Sequence, residues 1–102
     1  VDGKKWETDP FSVTCIGNRL HGRGTSDMKS FIAIILAQLP VFLERGLNIP
    51  IHLAFSYEEE IGCIGVRRLI DAVNKMPLKP TMCIVGEPTN MGVITGHKGK
   101  RS

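Results

Sequence analysis

The sequence predicts an α/β fold: a mainly parallel sheet flanked by helices and entered through an N-terminal β-hairpin. Three observations carry that expectation. Apolar, β-prone runs at 51–56 and 81–85, preceded by the β-prone run that ends at His21, alternate with stretches of helical periodicity. The run 51–56 shows little polar alternation, as a strand covered on both faces does. The order strand, helix, strand, helix, strand is that of a sheet built from right-handed crossovers.

Residues 1–11 hold Gly3, Pro10 and several charges, and read as an irregular lead-in with Trp6 as its apolar anchor. Ser12–Ile16 and Arg19–His21 then flank Gly17-Asn18, two β-prone runs around a two-residue loop, which predicts a hairpin. In Gly22-Arg23-Gly24-Thr25-Ser26-Asp27-Met28-Lys29 the glycines permit a tight backbone path, and Thr25 or Ser26 is placed to cap the following helix. From about Met28, the residues Phe31, Ile32, Ile35, Leu36, Leu39, Phe42 and Leu43 recur at helical spacing, and Ile34 widens the stripe. Pro40 falls inside that pattern, where its missing N–H and its clash with the Leu36 carbonyl predict a kink or a division. Gly46 is the stop signal.

Pro50 opens the run 51–56, whose one polar side chain, His52, reads as a core or rim residue rather than a ligand. Val66, Leu69, Ile70 and Val73 mark a second amphipathic helix with Arg67 and Arg68 turned outward, ended by Pro77 and Pro80. Thr81–Val85 is the next apolar strand, and Met91–Thr95 the last β-prone run before Gly96-His97-Lys98-Gly99.

The bulk numbers narrow the function. At 102 residues, with 42% hydrophobic and 23% charged residues, the chain amounts to one soluble domain with a modest core. A net charge of +3, with basic clusters only near the two ends and no aromatics among them, argues against nucleic-acid binding. No apolar run approaches the ~18 residues of a membrane helix, and no signal-peptide pattern is present. Cys15, Cys63 and Cys83 are odd in number and form no CxxC pair, which suits reduced, partly buried thiols in a cytosolic protein. A chain that starts at Val1 and stops at Arg101-Ser102 reads as a piece of a longer protein.

The acids carry the chemistry. Phe55-Ser56-Tyr57-Glu58-Glu59-Glu60-Ile61-Gly62 ends an apolar run in three adjacent carboxylates. Such a run is also a solvated helix start, because Glu favours a first turn. Gly86-Glu87-Pro88-Thr89 ends the next strand, and Asp27 opens the helix leading into the first. In a parallel sheet, residues just past the strand C-termini meet at one edge. If the strand ending at His21 joins that sheet in parallel, five carboxylates share the edge, which is tolerable only with cations present. Carboxylates with one or two imidazoles suit zinc, manganese or cobalt in a hydrolytic site, and a bridging Asp with one Glu per metal builds most of a two-metal centre.

Gly22–Lys29, Ser56–Gly62 and Val85–Thr89 resemble, in order and spacing, the three central motifs of the dinuclear zinc aminoacylase and exopeptidase family. The resemblance covers essentially the whole chain. It implies that Asp27 bridges two zinc ions (cobalt being an alternative), that Glu60 binds one and Glu87 the other, and that Glu59 is the general base. Glu58 would support the site without ligating, while Lys29 and Ser56 receive no chemical role. The implied activity is hydrolysis of a small acylated amino acid in the cytoplasm, with neither nucleic acid nor membrane as partner. The implied architecture is a partial zinc-exopeptidase-like catalytic domain: residues 1–102 are its central part, and a smaller dimerisation and lid domain lies outside the chain, so the parent is expected to be a homodimer. The family's two His ligands are also expected outside it, since His21, His52 and His97 match neither. A sister deacylase or dipeptidase of the same family, and a non-catalytic module of the same fold, stand as alternatives.

Overall fold

A computed structural model describes residues 5–96 and Gly99. Two compact units make up the chain: Val1–Val41 with Val85–Ser102, and Phe42–Ile84.

In the first unit, β1 (Thr14–Ile16) and β2 (Arg19–His21) form the hairpin expected around Gly17-Asn18. They pair antiparallel, with Thr14 opposite His21 and Ile16 opposite Arg19. The lead-in is tied down before it: the Phe11 amide donates to the Asp9 carboxylate at 2.9 Å, and the Ser12 amide donates to the Asp9 carbonyl at 3.3 Å. An irregular turn, Thr25–Lys29, precedes α1 (Ser30–Arg45), so the helix begins two residues later than its periodicity suggests. Asp27 and Met28 have non-helical dihedrals, and the bond between them is cis. Neither Thr25 nor Ser26 caps the helix; the Thr25 hydroxyl donates instead to the Gly22 carbonyl at 3.0 Å.

Helix α1 runs undivided through Pro40. Losing one N–H leaves the Leu36 carbonyl without its partner while the rest of the ladder persists, so the division expected at Pro40 does not occur. Phe31, Ile32, Ile35, Leu39 and Phe42 are half-buried, whereas Ile34 and Leu43 are exposed. The stretch Thr25–Arg45 has a mean hydropathy of 1.4 over an 18-residue window, and is long and apolar enough to cross a membrane. Counting unbroken apolar runs misses it because Ser30, Gln38 and Pro40 interrupt the run without lowering its average much.

In the second unit, α2 (Val66–Asn74) forms where predicted, with Arg67 and Arg68 exposed and Val66, Leu69 and Val73 half-buried. The mainly parallel sheet is not found among the described residues. The two-stranded antiparallel hairpin is the sheet they contain, and 51–56, 81–85 and 92–95 carry no ladder. Met91 lies in a turn instead of a strand: Thr89 and Gly92 bracket Asn90 and Met91, both left-handed, with the Gly92 amide donating to the Thr89 carbonyl at 3.0 Å. A strand is stable only with a neighbour to take its backbone hydrogen bonds, and these runs have none. Their side chains are correspondingly uncovered: Phe55 is 56% exposed and Ile84 72%. No hydrophobic side chain is buried among the described residues, and all three cysteines are free and exposed, which corrects the expectation of partly buried thiols.

Candidate functional site

Each acidic turn is set by its local backbone. The Asp27 turn is closed at its base, where the Lys29 amide donates to the Gly24 carbonyl at 2.8 Å. Upstream, the Arg23 amide donates to the Pro10 carbonyl at 2.7 Å, and the Arg23 guanidinium lies over the Trp6 ring. The lead-in and this loop thereby frame an open recess of about 580 Å3 whose lining includes Trp6, His21, Ser26 and Asp27. Sequence reasoning set His21 aside. Its position at the end of β2, six residues before Asp27, is what brings both side chains to one recess.

The Glu58–Glu60 turn lies wholly in the second unit. Glu59 organises it through its carbonyl, which accepts from the amides of Gly62 at 3.3 Å and Cys63 at 3.2 Å and from the Cys63 thiol at 3.6 Å. Glu58 and Cys63 both adopt left-handed φ, at 58° and 54°. Such a conformation is unusual for non-glycine residues and gathers at functional turns. Gly65, at the start of α2, packs directly under Tyr57, whose carbonyl and ring fill the space a Cβ would need. That contact docks the acidic turn on the helix. Glu58, Glu59 and Glu60 are all exposed.

Glu87 belongs to the first unit, as Asp27 does. Gly86, just before it, lies against the ring of Phe31, and a Cβ at 86 would run into that ring. Phe31 is four residues beyond Asp27, so this contact ties the Glu87 turn to the helix that the Asp27 turn begins. Both carboxylates are exposed. Oxygen donors of this kind fit a divalent cation in their chemistry. No group of three or more His, Cys, Asp or Glu side chains placed to hold an ion occurs among the described residues, however. The first unit holds two exposed carboxylates, Asp27 and Glu87, near the two partners of one packing contact.

Residues 1–96 match the family described as Peptidase family M20/M25/M40. Among curated relatives, an acetylornithine deacetylase of Buchnera aphidicola subsp. Acyrthosiphon pisum (strain APS) is 38% identical over 101 residues, covering 99% of this chain and 26% of the relative. Acetylornithine deacetylases of Klebsiella pneumoniae (strain 342) and Aliivibrio salmonicida (strain LFI1238) are 37% and 35% identical, over 99% and 96% of this chain and 26% and 25% of their own lengths. The chain thus spans about a quarter of the length of the curated relatives it matches. No solved structure matches it.

Proposed function

The chain belongs to peptidase family M20/M25/M40, and from that membership we propose that it is the central part of the catalytic domain of a metal-dependent amide hydrolase. The reaction is removal of the acetyl group from N2-acetyl-L-ornithine, giving L-ornithine and acetate for arginine synthesis. One observation carries the reading: relatives named acetylornithine deacetylase match 96–99% of this chain at 35–38% identity.

In this reading Asp27, Glu60 and Glu87 hold two zinc ions, or cobalt in their place, together with ligands from elsewhere in the protein. Ions so bound polarise an acyl carbonyl and lower the pKa of water. Glu59 is the catalytic base. Its carboxylate accepts a proton from the attacking water as the new carbon–oxygen bond forms, then delivers it to the nitrogen as the carbon–nitrogen bond breaks. The runs 51–56 and 81–85 are strands of a mainly parallel sheet once neighbouring strands accept their hydrogen bonds, and α1 is a core helix rather than a membrane span. The parent is a cytoplasmic homodimer acting on a small acylated amino acid.

The test is turnover of N-acetylornithine against N-succinyl-diaminopimelate by the full-length protein, with and without zinc. Preference for the acetyl substrate that depends on metal is expected. Preference for the succinyl substrate would assign a sister deacylase, and no metal-dependent turnover of either would leave a non-catalytic module.

A further inference from the structure

From residue 77 to residue 96 every side-chain position is exposed except Gly86. Gly86 is thus the least exposed position of the stretch among the described residues, and it lies against the Phe31 ring at the first turn of α1. The ring fills the volume of a missing Cβ, so Gly86 is held where no other residue fits without displacing Phe31. Two of the carboxylates in the proposed chemistry flank this contact in sequence: Glu87 is adjacent to Gly86, and Asp27 lies four residues before Phe31, in the irregular turn that precedes α1.

We propose that Phe31 is a positioning residue that sets Glu87 relative to Asp27, so that the spacing of these two oxygen donors is fixed by an aromatic ring packed on a glycine. The proposal rests on the reading of Asp27 and Glu87 as metal ligands. Phe31 touches no reacting group and acts only through the backbone of Gly86. It follows that the fit between ring and glycine governs metal affinity. Enlarging residue 86 pushes the Glu87 turn off α1, and shrinking residue 31 lets it drift.

The experiment titrates the metal-free, full-length protein with Co2+, following heat and the visible absorption of the bound ion. Gly86→Ala and Phe31→Ala are each expected to weaken Co2+ binding about tenfold, the lower end of the range for residues that orient metal ligands. Binding stoichiometry per mole of total protein should stay unchanged. Gly86→Ala combined with Phe31→Ala, which removes the ring atoms that the added methyl meets, should bind no more weakly than either single variant, because both changes act on one contact. If Asp27→Ala and Glu87→Ala abolish Co2+ binding while Gly86→Ala stays within twofold of the parent, the positioning role is overturned and the ligand reading survives. If stoichiometry falls with affinity unchanged, the contact only supports folding, and the proposal is again overturned. Should Asp27→Ala and Glu87→Ala both bind Co2+ normally, the ligand reading and this inference fall together. Phe31→Leu alone, a mild change that keeps an apolar contact, should weaken binding less than Phe31→Ala; the reverse order counts against the proposal.

Discussion

Arg23 lies over Trp6, its guanidinium carbon 5.2 Å from the ring centroid. The two residues join the lead-in to the loop that carries Asp27, and the Arg23 backbone adds a second tie to Pro10. A cation over an aromatic face at an exposed site contributes ~0.5–1 kcal/mol. Because Trp6 is the one tryptophan in the chain, its fluorescence reports the stack directly. Arg23→Ala should shift Trp6 emission, increase its quenching by acrylamide and lower stability by roughly that amount, while Arg23→Lys should stay near the parent. Identical emission and quenching in parent and Arg23→Ala would show that the stack does not form in solution.

The roles proposed for the acids separate in a mutational contrast. Glu59→Gln keeps the shape of the side chain and removes the base, so kcat in the full-length protein should fall by ~10²–10⁴ with metal content near normal. Asp27→Ala should lose metal instead. Unchanged turnover in Glu59→Gln would reassign the base.

The 102-residue chain by itself is expected to be inactive. Its described residues gather no three donor side chains, and affinity for an ion depends on ligand number and on the groups that orient the ligands. Incubation with N-acetylornithine and zinc or cobalt, followed by an assay for ornithine, should show no turnover at any metal concentration. Steady turnover that disappears with Glu59→Gln would prove that a complete site assembles.

Pro40 offers a test of α1. Within Ser30–Arg45 it leaves the Leu36 carbonyl without a helical partner. Pro40→Ala restores that hydrogen bond and should raise helix content and stability, by up to ~3 kcal/mol where nothing else opposes it. The circular-dichroism signal at 222 nm and the melting temperature measure both. A fall in either would show that the proline is needed for packing.

Local features were the legible ones. The Gly17-Asn18 hairpin and both helices follow from turn chemistry and periodicity, which act over a few residues. Strand pairing does not: 51–56 and 81–85 declare themselves as apolar runs, but nothing in a run names the neighbour that will bond to it. The site divides in the same way. Asp27, Glu59, Glu60 and Glu87 can be picked out as residue types at meaningful places. The packing of Phe31 on Gly86 and of Tyr57 on Gly65 cannot, because a glycine in a sequence looks alike whether it serves a turn or a close approach. The left-handed Glu58 and Cys63 were hidden for a related reason, since no side-chain preference announces φ values that the fold imposes.

The uncovered run at 81–85 has a consequence for handling the chain as a material. Thr81-Met82-Cys83-Ile84-Val85 is uncharged and β-prone, and each of its residues is exposed. Free backbone groups beside such side chains form a template on which a second molecule can add a strand, then a third, which is how fibrils grow. Pro80 and Pro88 flank the run as natural breaks but leave its centre open. Concentrated solutions of the isolated chain are therefore expected to scatter light and bind thioflavin T. Ile84→Lys, which places a charge at the centre of the template, should delay both; growth as fast as in the parent would locate the sticky segment elsewhere. The same residues that would make a good inner strand within a sheet make a poor free surface, so strands pairing with this run in the proposed sheet would also guard it against self-assembly.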